Sequence, residues 1–269
     1  MEYSGIYREV QICSSGTEKS QEDLKFQEAL KIASRIWCEA TGNDCLPKTH
    51  KHAAPLYHHI PDYPTILDQA IQAAEKQDAF VILVYQPIGT HTSAEKLPLW
   101  AFDEEIAKQR LVPVSCALLC EGLPPHKNYL VGALPVAECN LWYGGRFATL
   151  SQYGQQGNSK LLWNAAMREV FETRGSDQLI FSRRVGENDS SGNVNPHGYK
   201  DGLVAWYTRE FGSPTVIPVP EQTNAETGEL EKRGLLEAVY TYSAQAYFEK
   251  LQERVAAAKN IRSMVVIAR

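Results

Sequence analysis

The chain has no long hydrophobic run, no surplus of basic residues and no paired-cysteine motif, and each absence removes a class of function. No stretch of its 269 residues approaches the roughly 20 consecutive apolar residues that a membrane-crossing helix needs, so no membrane partner is expected. Lys and Arg number 27 against 32 Asp and Glu, giving a net charge of -5. There is thus no global basic face for DNA or an anionic surface, and any polyanion must be met by a local patch. The six cysteines, Cys13, Cys38, Cys45, Cys116, Cys120 and Cys139, form no CxxC pair. Reduced thiols in a cytoplasmic protein are the expectation. The opening MEYSGIYREV has no basic segment followed by an apolar run, so no signal peptide is expected. GxGxxG, P-loop, HExxH and GxSxG patterns are absent.

What is present is the composition of a globular domain, 43% hydrophobic and 22% charged, with enough length to bury a substantial core. Val10–Cys13 reads as a short strand. A helix follows over about 21–40, marked by Leu24, Phe26, Leu30, Ala33, Ile36 and Trp37 at helical spacing. A second helix is expected over 65–76, a wholly apolar strand over 79–85, a helix over 100–110 and a strand over 111–119. This alternation argues for an α/β domain spanning 1–269, with a Rossmann-like, mostly parallel sheet, helices on both faces and a helical second layer. In the second half, a strand is expected over 129–136 and an amphipathic helix around Leu161–Phe171. A helix over 203–211, a short strand over 215–219, a long helix over 235–258 and a final strand over 264–268 complete the reading.

The candidate site residues follow from this placement. Ser14 and Ser15 close the first strand before a helix, where a hydroxyl serves either as a nucleophile or as a helix cap. His91, in the loop after the apolar strand, is a candidate general base or a surface histidine. Asp103, Glu104 and Glu105 open a helix, where they form a negative pocket for a cationic group or simply balance the helix dipole. Trp206 and Glu210 share a helix face, with Tyr207 beside them. A carboxylate next to an aromatic with a polar tip can hold an ammonium group. His50, His52, His58 and His59 crowd one segment, but no carboxylate or thiolate lies at ligand spacing, so no metal centre is expected.

Taken together, ICSSGTEKS, LLWNAAMREVFETR, GLVAWYTREFGSP and TVIPVP resemble the cyclodipeptide synthases in order and spacing. The resemblance implies an enzyme that takes aminoacyl-tRNA as substrate and builds a diketopiperazine through a serine-bound intermediate. Ser14 or Ser15 would be the nucleophile, and Glu210 with Tyr207 or Trp206 would grip the amine. Arg183 and Arg184 would meet tRNA, Asp103 to Glu105 would select arginine, and no cofactor would be required. A second resemblance covers the first 120 residues. DYPTILDQAIQAAEKQDAFVILVYQP and FDEEIAKQRLVPV look like the nucleoside deoxyribosyltransferase group, with Glu104 or Glu105 as nucleophile. A non-enzymatic nucleotide-binding sensor on the same sheet is a third alternative.

Overall fold

The computed structural model describes residues 8–15, 21–40, 78–87, 111–134, 140–150, 153–186, 201–220 and 236–267. The elements run β1 (Glu9–Ser14), α1 (Gln21–Ala40), β2 (Ala79–Pro87), β3 (Leu111–Glu121), β4 (Leu141–Thr149), α2 (Asn158–Arg168), β5 (Gln178–Gly186), α3 (Asp201–Phe211), β6 (Thr215–Pro218), β7 (Leu236–Ser243) and α4 (Ala244–Ile267). A 3-10 turn covers Pro125–Leu130, and a π turn, Glu169–Thr173, extends α2.

The seven strands form one sheet in the order β1-β2-β3-β4-β5-β7-β6. Ala79 to Val84 are all buried, because the sheet is covered on both faces here, as an apolar run of β-branched residues requires. Successive strand residues point to opposite faces, and β3 shows where each helix lies. Cys116 Sγ donates to Ala33 O of α1 at 3.3 Å. The preceding Ser115 Oγ instead lies 2.9 Å from Thr149 Oγ1, which in turn lies 3.0 Å from Ser159 Oγ of α2. Thus α1 and α2 take opposite faces. On the α1 face, beyond α1, Leu130 and Leu134 of the β3–β4 connection pack with Tyr143, Ile180, Ile217 and Val239.

The mostly parallel, Rossmann-like sheet is corrected by the strand pairing. The fold is mixed α/β, but among the described residues five of the six strand pairs are antiparallel and only β4–β5 is parallel. Alternation of strands and helices sets their order in sequence and leaves open the end of the sheet at which the chain re-enters. Here β1 is an edge strand running against β2. Two strands, β4 and β5, were not expected at all, and three expected elements take another form. Tyr129 to Leu134 is the end of the 3-10 turn and a further turn, not a strand. The helix expected over 235–258 is β7 followed by α4, and 264–267 continue α4 as helix. Leu-Glu-Ala-Val-Tyr-Thr-Tyr-Ser carries the aromatic and β-branched content of a strand, but the Ala-rich stretch after it hides the boundary. The helices expected over 65–76 and 100–110 lie outside the described residues.

Candidate functional site

The irregular feature of the sheet is the parting of its parallel pair. β4 and β5 each have nine residues, yet they pair only from Leu141 with Gln178 to Gly144 with Phe181. Beyond that point β4 follows β3, and β5 follows β7. Burial changes at the same place, since Leu141 to Gly144 are buried and Gly145 to Thr149 are half-buried. A bulge accompanies the parting. The β3–β4 register shifts between Cys116 and Leu118, and Arg146 of β4 sits at φ 52. A non-glycine residue in the left-handed region costs about 1–2 kcal/mol, and such strain and bulges gather at functional sites. The result is a wedge at the carboxyl ends of two adjacent strands, with the β5-facing edge of β4 left without a strand partner among the described residues.

The connection from β4 into α2 forms one end of this wedge. Gln155 and Gly157 both have positive φ, 59 and 83. Gly157 is the residue preceding α2, and no side chain caps the helix and no acid stands in its first turn. Alternating left-handed residues turn successive N–H groups toward a common point, and a helix N-terminus adds a positive potential there. The connection is held from behind by Gln86, whose amide donates to Gln156 Oε1 at 2.7 Å and whose Oε1 accepts from Asn158 at 3.1 Å. Lys160 is exposed on the first turn.

The two faces of the wedge differ in chemistry. On the α2 face, Trp163 stacks on Phe147 at 3.8 Å and packs edge-on or tilted against Phe181, Tyr207, Phe211 and Trp206. Gly144 makes room for this stack, because a Cβ there would stand 2.9 Å from the Phe147 ring. On the opposite face lie polar groups. Lys127 forms a buried ion pair with Glu237, the Tyr129 hydroxyl donates to Glu237, and Ser182 Oγ donates to Glu237 Oε1 at 2.8 Å. Burial would raise the Glu237 carboxyl, but Lys127 and these hydrogen bonds hold it below its ordinary value. Burial alone would lower the Lys127 ammonium, and its anionic and phenolic neighbours raise it instead.

A groove of about 640 Å³ lies outside the aromatic cluster, between α2, α3 and α4. Its acids are already paired. Glu210 accepts from Lys250 at 3.1 Å, and Glu172 accepts from Tyr247 at 2.6 Å and faces Arg168 at 3.4 Å.

Those of the residues singled out from sequence that the structure describes are not brought to one place. Ser15 closes the β1–β2 ladder, its Oγ donating to Ala79 O and accepting from Ala79 N at 3.1 and 2.9 Å. Ser14 Oγ accepts from Arg174 at 2.8 Å. Arg174 also pairs with Glu169 and lies over the Phe80 and Trp142 rings, so it is held within the protein. Glu210 sits on α3, which packs on β7. Four strand spacings separate β1 from β5 and one more separates it from β7, about 24 Å in all, too far for Ser14 and Glu210 to meet one substrate. Lys250 and Arg209 bond the Glu210 carboxylate and hold it below its ordinary value although burial would raise it. Tyr207 is buried in the aromatic cluster, and burial pushes its hydroxyl up to about 12. Trp206 is half-buried beside it, and Arg183 is half-buried on β5, which also carries Arg184. His91, Asp103, Glu104, Glu105 and the four histidines of 50–59 lie outside the described residues.

These placements give a prediction. Ser15→Ala should lower stability by about 1 kcal/mol through the lost clamp on Ala79, while Ser14→Ala, at an exposed position, should stay within about 0.5 kcal/mol of the parent. Urea midpoints of the two variants check this.

No protein-family model matches the chain, and no curated protein matches it. Among solved structures it is similar to a putative acetyltransferase of the GNAT family from Desulfovibrio desulfuricans, at 10% identity and a TM-score of 0.40, covering 88% of this chain and 99% of that one. It is also similar to FeeM, an N-acyl amino acid synthase from uncultured soil microbes, at 12% identity and a TM-score of 0.39, covering 89% and 92%. For the ribosomal-protein-S18-alanine N-acetyltransferase of Escherichia coli the values are 11%, 0.36, 88% and 94%. Likeness at this level bears no weight for activity or site. No cyclodipeptide synthase or deoxyribosyltransferase is matched. The expected resemblances are therefore corrected, and the tRNA-dependent serine mechanism falls with the cyclodipeptide one. The strand pairing leads to the same correction: the serine turn lies on an antiparallel edge strand, not at the carboxyl end of a parallel core strand. Among the described residues, no helix is long and apolar enough to cross a membrane, and no group of three or more His, Cys, Asp or Glu is placed to hold a metal.

Proposed function

We propose that the chain is an acyl-transfer enzyme whose donor is a phosphate-bearing acyl thioester lying in the wedge between β4 and β5. The observation that carries this reading is the parting of the one parallel pair next to an uncapped helix start. Open sheets take ligands at the carboxyl ends of parallel strands, where neighbouring strands diverge. The two positive-φ residues and the first turn of α2 suit a phosphate. The unpartnered edge of β4 offers backbone donors and acceptors to an extended amide-containing arm, as an added strand would use them.

A carbonyl carried along that edge arrives at the bulge, where the register of the β3–β4 ladder shifts. Backbone donors aimed at that carbonyl oxygen would favour the charge that develops on it, which is the need of acyl transfer. The nucleophile forms a bond to the carbonyl carbon, the carbon–sulfur bond breaks, and the leaving thiolate gains the proton that the nucleophile loses. No oxidant or reductant enters. Acyl transfer is also the chemistry named in the descriptions of the three solved structures above, but the reading rests on the wedge.

The test uses acetyl-coenzyme A as donor with a panel of primary amines, following free thiol and the mass of the acylated amine. Amine-dependent thiol release is expected. Lys160→Glu should raise the KM for the donor about fivefold, the scale of an exposed charge effect, with little change in kcat at saturation. No thiol release with any amine, together with no coenzyme A binding by calorimetry, would overturn the reading.

A further inference from the structure

The polar groups on the face opposite α2 carry a proton inventory that, with the place where the strands part, points to one atom. Ser182 Oγ donates its only proton to Glu237 Oε1. The 2.8 Å contact between Ser182 Oγ and the Tyr143 hydroxyl is therefore donated by Tyr143. The Lys127 ammonium donates to Glu237 and, at 3.3 Å, to the Tyr129 hydroxyl, and its charge acts on the nearby Tyr143 hydroxyl. Tyr129 donates to the second carboxylate oxygen. Every hydroxyl proton is thus committed inward. Ser182 Oγ keeps one unused lone pair, as the phenol oxygens do, but among these groups it alone belongs to the residue just beyond the parallel pairing. Ser182 is half-buried and is the first residue of β5 beyond the parallel pairing, which puts it at the apex of the wedge. Glu237 and Tyr143 are buried.

We infer that Ser182 is a positioning residue that accepts an N–H from a primary amine, the nucleophile of the acyl transfer proposed above. This rests on that reading for the reaction, though not for the amine site itself. An oxygen whose own proton is locked can only accept, so it selects a donor. Chained hydrogen bonds ending on a carboxylate strengthen that acceptor. The carboxylate is already occupied by three donors, so the circuit orients a nucleophile without removing a proton from it. That suits an amine, which attacks through its lone pair while an N–H stays bound and loses its proton afterwards. An alcohol needs its proton removed during attack. Tyr143 on β4, Ser182 on β5, Glu237 on β7 and Lys127 with Tyr129 on the β3–β4 connection come from four segments. The circuit therefore ties the serine to two neighbouring strands and to the β3–β4 connection.

The experiment measures binding of n-butylamine, benzylamine and spermidine by saturation-transfer NMR, and binding of coenzyme A by calorimetry, on the full chain and on Ser182→Ala and Ser182→Thr. At least one amine should bind the parent. Ser182→Ala should weaken it about tenfold, the scale of one lost hydrogen bond, with coenzyme A affinity unchanged and a melting temperature lower by about 3 °C, because Tyr143 loses its acceptor and Glu237 a donor. Ser182→Thr, which keeps the hydroxyl, should restore most of the affinity. In turnover the loss should fall on the KM for the amine more than on kcat. No amine binding by the parent, or equal binding by Ser182→Ala, overturns this inference while coenzyme A binding keeps the acyl-transfer reading. Amine binding that depends on Ser182 without any coenzyme A binding supports the amine site and overturns the acyl-transfer reading.

Discussion

Lys127→Met is expected to lower stability by about 3–5 kcal/mol, the cost of leaving a buried carboxylate without its cation. Glu237 has only 3% of its side chain exposed and Lys127 15%, so water cannot replace the lost partner. For a chain of this size the melting temperature should fall by roughly 10 °C. The double variant Lys127→Met with Glu237→Leu should recover a large part of the loss, since an apolar pair of similar volume removes both charges together. Chemical denaturation of the three proteins checks this, and a single variant within about 1 kcal/mol of the parent would contradict the assignment. The same pair sets an acid limit. The folded Glu237 carboxyl lies below its unfolded value, so its contribution is present above the unfolded value of about 4.3. It is lost as pH falls through the lower folded value. The parent should lose this increment on acidification below about pH 4, and the double variant should not.

The second large effect belongs to Trp163. Trp163→Ala removes the ring that joins Phe147 of β4, Phe181 of β5 and Tyr207 with Phe211 of α3. Truncation of a buried tryptophan costs about 3–5 kcal/mol. The consequence is expected to reach further than stability, because this cluster is the wall of the wedge on the α2 face. With the wall gone, β4 and β5 lose their common contact beyond Gly144 and Phe181, where no strand pairing replaces it. Trp163→Phe should keep the wall and cost about half as much. Denaturation midpoints measure the first effect. Proteolysis rates near Gly145 to Thr149 under native conditions measure the second. Equal proteolysis of Trp163→Ala and the parent would show that the cluster does not hold the strands.

Much of the architecture is legible in the chain, and the reasons for the rest are physical. Ala79 to Tyr85 could be read as a buried strand because both of its faces are covered, and Leu161 to Phe171 as a helix because one face is apolar. Neither β4 nor β5 was foreseen, β5 because Gln178 and the adjacent Arg183 and Arg184 interrupt its apolar run. Leu-Trp-Tyr-Gly-Gly-Arg-Phe-Ala-Thr carries two glycines and a bulge, which break the alternation by which strands are recognised. Those same glycines and that bulge are what make the wedge, so the local rule fails at the proposed site itself. Strand direction was also hidden, since antiparallel and parallel returns differ in long-range pairing and not in local pattern. Ser182 and Glu237 gave no signal, being a single serine and a single glutamate in apolar strands. A buried carboxylate at an inward-facing strand position was the available clue. It was masked because Leu236 to Ser243 read as helix. Ser14, Ser15 and Glu210 drew attention through their neighbours in sequence, while their bonds tie them to Arg174, Ala79 and Lys250.

Hydrogen–deuterium exchange of the full chain with and without saturating coenzyme A tests the central claim, that a phosphate-bearing donor lies between β4 and β5. Bound ligand should slow exchange at Gly145 to Thr149, whose β5-facing edge has no strand partner among the described residues, and at Gln155 to Leu161 around the start of α2. Strand β6, on the far edge of the sheet, should be unchanged. Protection confined to the groove residues Arg209, Lys250 and Arg254, or no protection at Gly145 to Thr149 at saturation, would contradict it.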